Sequence, residues 1–461
     1  MSWHAVLLGM LPENLLLAGI VALILLEVAG GRGRAALPLA VIAVTAAAGA
    51  AIWLALNGAT GAPFPGQFSV TPGSLLAKGI VLALVLPVLL LSRDDFADGQ
   101  FYLLILSSLY GVCLLMSSDS FLTLFLGLEI MSLPVYALVL LAFRRPQSAE
   151  AALKYLVLSG AASATFLLGA SFLYGASGSL ELDAFTAALG SSDVVAITAV
   201  ALVIIAFFLK AAVVPFHTWA PDAYEAASIP VTAYMATVIK AGVLLAVLRL
   251  IDTAPLSPRT VDLLAILPLV SIVWGNLAAI RQESFRRMIA YSSIAHAGYL
   301  FYAFLGDGPG RFQAVVFYVL AYGLMNLLAF ASIPGGADDT ARDRLASLKG
   351  LFQRQPYAAL MLGVAMLSLA GIPPFPGFVA KFLIFRNVME AGHTLYAVLG
   401  LVGSYLGIYF YLRVIQYAFM SQQEPVAEQA GVTRAALGAS VLCLAPTIVL
   451  SVFPGWVIAL L

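Results

Sequence analysis

Residues 207–221 read Phe-Phe-Leu-Lys-Ala-Ala-Val-Val-Pro-Phe-His-Thr-Trp-Ala-Pro and interrupt a long apolar run. Proline removes a backbone donor and clashes with the preceding turn, so the two prolines predict a break in a helix. A second stretch, residues 371–381, reads Gly-Ile-Pro-Pro-Phe-Pro-Gly-Phe-Val-Ala-Lys and predicts a second break. Interrupted helices in two halves of a membrane chain point to an ion or substrate site, because freed backbone groups must face protein or water. A lysine lies beside each break, Lys210 and Lys381, which argues against prolines that only kink a helix.

The composition requires a membrane environment. Hydrophobic residues make up 62% of the 461 positions and charged residues only 10%, whereas charged residues are roughly a quarter of a soluble domain. This excludes a soluble globular protein. Apolar runs of the roughly 20 residues that a transmembrane helix needs recur along the whole chain. We therefore predict an all-α polytopic membrane protein of about fourteen transmembrane helices, in a single membrane domain over residues 1–461.

The helices are placed by apolar windows between proline, glycine and charged positions. They are predicted near 14–30, 36–56, 75–92, 101–117, 120–142, 152–174, 194–225, 229–251, 261–280, 287–305, 311–333, 357–391, 395–419 and 434–458. The first run lacks the preceding basic segment and the following cleavage site of a secretory signal, so we expect a retained helix.

Basic residues in the loops predict the orientation, because Lys and Arg are retained preferentially on the cytoplasmic side. One alternate set of loops contains Arg32, Arg34, Arg93, Arg144, Arg145, Arg281, Arg286, Arg287, Arg342, Arg344, Lys349, Arg354 and Arg434. The opposite set has little beyond Arg259 and Arg311. With an even number of helices, both termini are expected on the periplasmic side of a bacterial inner membrane.

Lysines and arginines are sorted along the chain. Nearly all arginines fall in loops or at helix ends, whereas Lys154, Lys210, Lys240 and Lys381 fall inside predicted helices. A buried lysine can release its proton, whereas a guanidinium group stays charged. The sorting therefore indicates protonatable sites rather than fixed charges.

One acidic residue is predicted at a comparable depth. Glu129 lies well inside its helix, and a lone carboxylate at the bilayer centre costs several kcal/mol. It therefore needs a partner, for which Lys210 is the candidate. His217 and His296 could support a polar track in the membrane plane. Four hydroxyl-bearing side chains could belong to the same track, namely Tyr291, Ser292, Ser293 and Tyr299.

Simpler interpretations stay open for some of these residues. Lys154 closely follows a basic loop, so its side chain could reach the membrane interface by snorkelling. His296 could be a core histidine with satisfied hydrogen bonds. Glu27 and Lys78 lie near predicted helix ends and are assigned no role.

The chain lacks the sequence signals of a redox or metal site. Cys113 and Cys443 lie in apolar runs without a C-x-x-C pair, so iron–sulfur clusters and zinc have no ligands here. No strand-linked G-x-G-x-x-G indicates a nucleotide-binding unit. A net charge of +0 gives no field that attracts nucleic acid. We expect no cofactor and no metal on this chain, and any redox chemistry on another chain.

Three segments carry a resemblance to a known family. They are Leu126-Gly-Leu-Glu-Ile-Met-Ser-Leu-Pro134, Lys210-Ala-Ala-Val-Val-Pro-Phe-His-Thr-Trp-Ala-Pro-Asp-Ala-Tyr-Glu225 and Arg286-Arg-Met-Ile-Ala-Tyr-Ser-Ser-Ile-Ala-His-Ala-Gly-Tyr299. The chain resembles the antiporter-like subunits of respiratory complex I, NADH:quinone oxidoreductase, over nearly its whole length. The second segment is highly specific for that superfamily. The chain looks most like the N-type subunit, because lysine rather than glutamate follows the second break and no long lateral extension follows the last helix.

The resemblance implies an internal symmetry. Two inverted five-helix repeats would comprise helices 4–8, over residues 101–251, and helices 9–13, over residues 261–419, each with a broken member. Helices 1–3 would occupy residues 1–95 and helix 14 residues 420–461.

The resemblance also implies roles for individual residues. Glu129 would pair with Lys210, Lys240 would connect the two halves, and Lys381 would serve the second half-channel. Lys154 matches a lysine of the family pattern as well.

The function implied by the resemblance is proton translocation by one subunit of a larger enzyme, driven by quinone reduction elsewhere in the complex. NADH, FMN, iron–sulfur clusters and ubiquinone or menaquinone would be bound by partner subunits. The neighbours in the bilayer would be M-type antiporter-like subunits and small K-type subunits. A Mrp-type cation/proton antiporter, a membrane-bound hydrogenase and a structural scaffold stay open as alternatives.

Overall fold

The computed structural model describes residues 3–30, 35–93, 95–96, 99–141, 146–251, 256–334, 343–421 and 432–461. Helices dominate these ranges, as the composition predicts. Several of the loop arginines that predict the orientation lie outside the described residues, namely Arg32, Arg34, Arg144, Arg145 and Arg342.

The α-helices are α1 (Trp3–Gly9), α2 (Leu11–Val28), α3 (Ala36–Leu56), α4 (Pro72–Leu91), α5 (Gly99–Met116), α6 (Phe121–Leu141), α7 (Pro146–Ser177), α8 (Leu182–Leu189), α9 (Val194–Ala211), α10 (Trp219–Ala226), α11 (Ile229–Tyr234), α12 (Lys240–Ile251), α13 (Pro258–Ile280), α14 (Phe285–Tyr302), α15 (Gly308–Ala331), α16 (Leu351–Arg354), α17 (Pro356–Ala370), α18 (Pro376–Glu390), α19 (Thr394–Tyr405), α20 (Ile408–Met420), α21 (Arg434–Val452) and α22 (Pro454–Leu460). A π-helical turn, Met235–Ile239, joins α11 to α12, and 3₁₀ turns lie at Ala303–Leu305 and Leu345–Leu348.

The described residues contain 13 helical segments that are long and apolar enough to cross a membrane. One further apolar segment is divided into α17 and α18. Together they occupy all of the predicted positions, which confirms the predicted class of an all-α polytopic membrane protein. The inverted-repeat relation and its domain boundaries stay predictions.

The structure departs from the sequence prediction at short elements. Two antiparallel strands, β1 (Gly61–Phe64) and β2 (Phe68–Val70), form a hairpin between α3 and α4. They are too short to give a recognisable alternating pattern. The last predicted helix is also wrong in its extent, because α21 ends at Val452 and a new helix begins at Pro454. Proline cannot donate the hydrogen bond that would continue the helix.

The first break begins where α9 ends at Ala211. Ala212 adopts a left-handed conformation with φ 61°, which is costly for a residue with a Cβ. Backbone groups freed by the break find partners inside the protein. The Trp219 indole donates to the Leu209 carbonyl at 3.0 Å, and the Val214 amide donates to Ser271 Oγ at 2.7 Å. These contacts hold a non-helical segment at membrane depth.

The second break lies between α17 and α18. Gly371 follows α17 with φ 82°, a conformation that glycine adopts without steric cost. Beyond the prolines, the Gly377 amide donates to Ser368 Oγ at 3.1 Å, which ties the start of α18 to the end of α17.

The segment from α11 to α12 and the helices α14 and α15 form the centre of the bundle, since nearly all of their residues are buried. Helices α2, α3, α7 and α21 have many exposed apolar side chains and lie at the periphery. The two breaks and the central helices therefore place polar side chains away from the lipid-facing surface.

Candidate functional site

Lys210 lies in the last turn of α9, directly before the first break, and reaches between α6 and α7. Its Nζ donates to Ser159 Oγ at 2.7 Å and to Ser132 Oγ at 3.3 Å. Glu129 Oε1 lies 3.5 Å from the same Nζ, and Glu129 also accepts a hydrogen bond from Ser163. The contact that the sequence predicts between the two charged residues is therefore present. Its role in proton transfer stays a prediction.

Lys240 is the first residue of α12, immediately after the π-helical turn. Single π turns inside α-helices frequently occur at functional sites. The buried Nζ donates to both the carbonyl and the hydroxyl of Ser293 on α14. Tyr224 extends this contact, since its hydroxyl lies 3.3 Å from Ser293 Oγ. Within the part of the chain that the structure describes, no carboxylate forms an ion pair with Lys240.

Helix α14 presents a row of polar side chains at i, i+3 and i+6, namely Ser293, His296 and Tyr299, on one face. His296 is buried between two tyrosines. Its Nδ1 lies 2.7 Å from the Tyr318 hydroxyl and its Nε2 lies 3.1 Å from the Tyr411 hydroxyl. The row begins at Ser293, which accepts the hydrogen bonds of Lys240, and ends at Tyr299, whose ring faces the Lys381 ammonium group.

Lys381 belongs to α18, but its ammonium group returns to the break. The Nζ donates to the carbonyls of Leu369 and Ala370, at 3.2 and 3.1 Å, and to Ser404 Oγ at 3.0 Å. It also lies 5.0 Å from the centroid of the Tyr299 ring. The two carbonyls belong to the last turn of α17, where unsatisfied oxygens and the helix dipole favour a cation.

A cavity of about 580 Å³ reaches Lys381 between α18, α19 and α20. Its lining is mostly apolar, with Phe382 and Tyr405 on its walls. Lys381 contributes charge at one part of the lining, and Arg386 and Glu390, which form an exposed ion pair at 2.8 Å, contribute charge at another. Lys381 is thus buried, yet it borders a space that is open to the surface.

Two predicted residues, His217 and Lys154, lie away from the contacts of Lys210, Lys240 and Lys381. His217 is half-buried, and its Nε2 accepts a hydrogen bond from the exposed Trp274 at 3.0 Å. Lys154 has a side chain that is 46% exposed and forms ion pairs with Glu150 and Asp222, each at 2.8 Å. These surroundings agree with the interfacial interpretation of Lys154. The proton-transfer roles of both residues stay predictions.

Sequence comparison assigns the family. A profile described as "NADH:quinone oxidoreductase/Mrp antiporter, TM" matches residues 118–407, which is more than half of the chain. The chain belongs to this antiporter family. The matched region begins before α6 and extends beyond the end of α19, so it includes Glu129, Lys210, Lys240 and Lys381.

Relatives of high coverage support the assignment to the antiporter family. The "NADH-quinone oxidoreductase subunit N" of Pelobacter propionicus is 40% identical over 429 residues, which cover 93% of this chain and 92% of that protein. The protein of the same description from Chloroflexus aggregans is 38% identical over 388 residues, covering 81% and 79% of the two chains.

Solved structures of antiporter-family proteins share the fold. A chain of respiratory complex I from Thermus thermophilus with bound aureothin is 34% identical with a TM-score of 0.84, over 97% of this chain and 98% of that one. A chain of the Mrp complex from Dietzia sp. has a TM-score of 0.86 at 22% identity, over 100% and 96% of the two chains. At that identity the second likeness supports the fold alone.

The antiporter-family chain also carries a charge cluster where α10 meets α14. Arg287 contacts Asp222 and Glu225, each at 2.9 Å, and so connects α14 to the ion pair of Lys154. Its neighbour Arg286 forms an ion pair with Asp343 at 3.0 Å and donates to the carbonyl of Ala227. Burial raises the pKa of Asp343, and the Arg286 guanidinium opposes this only in part. The cluster fixes α10, and with it the segment after the first break, against α14.

The ion pair of Lys78 was not predicted from the sequence. Lys78 lies near a predicted helix end and is assigned no role from the sequence, whereas the structure places it in a fully buried contact. Its Nζ lies 2.6 Å from Glu13, and neither side chain has any exposure to solvent (0%). The depth of a residue along a helix could not reveal this pair, because the covering hairpin was not predicted. Among the described residues, no group of three or more His, Cys, Asp or Glu side chains could hold a metal ion.

Proposed function

We propose that this chain is the N-type membrane subunit of a proton-pumping NADH:quinone oxidoreductase and that it moves protons along its buried lysines. One observation carries the proposal: the Glu129–Lys210 pair lies at the first break, Lys240 lies in the central helices and Lys381 lies at the second break, a set of residues called the lysine line below. Lys240 contacts one end of the polar row on α14, at Ser293, and Lys381 lies over the other end, at Tyr299. The similarity to N-type subunits over 93% of the chain supports the choice of enzyme.

The contacts suggest how the line would work. Lys210, Lys240 and Lys381 each donate hydrogen bonds to hydroxyl or carbonyl oxygens. Of these three lysines, only Lys210 has a carboxylate partner among the described residues. The Glu129 carboxylate stabilises the charged form of Lys210. Movement or neutralisation of Glu129 would therefore favour proton release from Lys210. Electrostatic coupling along the row on α14 would transmit this change towards Lys381, which borders the open cavity.

The proposal includes partners and a location. The chain would lie in the inner membrane of a bacterium with both termini on the periplasmic side, beside M-type and small K-type subunits. NADH, FMN, iron–sulfur clusters and quinone would be bound by other subunits, with no redox centre on this chain. Lys154, at the cytoplasmic end of α7, would then lie where protons enter.

Purification from native membranes by an affinity tag on this chain tests the enzyme assignment. We expect peripheral flavin and iron–sulfur subunits to accompany the tagged chain, with NADH:quinone activity that is coupled to proton uptake. Co-purification of small membrane subunits alone, with cation/proton exchange and no NADH oxidation, would instead assign the chain to a Mrp-type antiporter.

A second experiment tests the line of residues within the assembled enzyme. Lys240→Met removes the charge beside Ser293 and keeps a side chain of similar length. We expect it to lower proton uptake per NADH oxidised, because no other described side chain bridges α12 and Ser293. Leu277→Met, at an exposed position of α13, is the matched control. Equal proton uptake in both variants would contradict the proposed role of Lys240.

A further inference from the structure

Glu13 on α2 and Lys78 on α4 form an ion pair outside the region that the family profile matches. The atoms Lys78 Nζ and Glu13 Oε1 are 2.6 Å apart, and both side chains are fully buried. Apart from each other, neither charged group has a hydrogen-bond partner among the described residues. The Lys78 ammonium faces the ring of Phe68, with 4.8 Å between Nζ and the ring centroid.

Structural stability alone is a weak reason for such a pair. Taking both charges out of water costs several kcal/mol per ion, and apolar replacements of buried pairs are often neutral or stabilising. The N-terminal helices already pack through apolar contacts, with Leu16, Val44 and Val81 all fully or almost fully buried. Ionisable residues inside membrane segments are rare and typically mark ion pathways or proton relays.

The Glu13–Lys78 pair lies beneath the β-hairpin formed by β1 and β2. Glu13 and Lys78 lie near the starts of their helices, on the side where the β-hairpin connects α3 to α4. Phe68 of β2 covers Lys78. The next residue, Ser69, donates to Asp119 at 2.8 Å, and Asp119 also pairs with Arg249 of α12. The hairpin above the pair is therefore held by a second charge pair that involves the helix of Lys240.

Helix α5 connects the pair to the centre of the bundle. It packs against α2, the helix that carries Glu13. On α5 itself, Ser108 Oγ accepts a hydrogen bond from the Tyr234 hydroxyl at 3.0 Å. Tyr234 ends α11, one π turn before Lys240. A change in charge at Glu13 would thus act on a helix that contacts the segment that carries Lys240.

We propose that Glu13 and Lys78 form a further proton-exchange site of this subunit, under the β-hairpin and coupled to the line of lysines through α5. The proposal rests on the proton-translocating function proposed above. A proton that reaches the Glu13 carboxylate forms the carboxylic acid, and Lys78 releases its own proton to become an amine. Proton transfer from the acid to the amine then restores the ion pair, so one proton enters and one leaves without residual charge.

Lys78→Arg is the decisive variant, because arginine can keep the ion pair but does not release a proton. The assay is proton uptake per NADH oxidised in membrane vesicles that contain the complete enzyme, with the assembled amount measured on native gels. We expect normal assembly with loss of proton uptake relative to electron transfer. The matched control is Glu27→Gln, which neutralises an exposed acid on the same helix as Glu13 and should leave the ratio unchanged.

Other variants separate a structural role from proton exchange. The double variant Glu13→Gln and Lys78→Met removes both charges together, so it leaves no buried charge without a partner. If the double variant assembles but takes up fewer protons per NADH oxidised, the pair exchanges protons. This result suffices even if Lys78→Arg does not assemble. Wild-type ratios in Lys78→Arg or in the double variant would show that the pair is only structural. Lys210→Ala is measured in parallel: if it too keeps the wild-type ratio, the proposed function itself fails.

Discussion

Replacement of Lys210 by alanine is expected to abolish proton translocation, and the structure gives the size of the interaction that is lost. The charged atoms of Lys210 and Glu129 are 3.5 Å apart, which corresponds to about 5 kcal/mol at an effective dielectric constant of about 20. The Glu129 side chain is 25% exposed, so water screens part of this, and we take about 3 kcal/mol as the working value. Moving one charge through 100 mV is worth about 2.3 kcal/mol. The pair is therefore strong enough to switch a proton against the membrane potential.

The assay is quinone-coupled NADH oxidation with simultaneous proton uptake in native membrane vesicles, at matched amounts of assembled enzyme. Lys210→Ala leaves Glu129 without its charged partner, so assembly is also expected to fall. Lys210→Arg keeps the positive charge and separates this effect from proton release. Thr198→Ala, at an exposed position of the same helix, is the control. Normal uptake per NADH in both Lys210 variants would refute a protonatable lysine at the first break.

Two further substitutions test the second half of the line. Gly371→Ala should reduce proton uptake, because the new Cβ would lie 3.0 Å from Lys381 Cδ. The left-handed φ of 82° also disfavours alanine by about 1–2 kcal/mol. The control is Gly392→Ala, which has a similar φ of 88° but open space around its Cβ, so it should have the same backbone cost without displacing Lys381. Tyr411→Phe removes the hydroxyl beside His296 Nε2. If His296 relays protons, this variant should slow proton uptake while the amount of assembled enzyme stays unchanged. A loss of thermal stability with normal proton uptake would instead identify His296 as a core histidine.

Much of the architecture follows from local chemistry. A helix must span the apolar bilayer with its backbone groups satisfied, so long apolar windows determined where the membrane segments lie. Proline acts on its own turn of helix, which is why residues 207–221 and 371–381 predicted both breaks. A lone charge is costly to bury in the bilayer, and this cost is sufficient to predict Glu129 and Lys210 as partners from the sequence.

The sequence by itself therefore determined the class of protein, its membrane segments, the two breaks and the charged residues near them. Only the tertiary structure decided which polar groups meet. It joined Ser293 to Lys240, enclosed Lys381 with carbonyls from the other half of its broken helix, and buried Glu13 against Lys78. The physical reason is that hydropathy and backbone chemistry act within one helix, whereas these contacts depend on how separate helices pack and on a hairpin too short to leave a pattern.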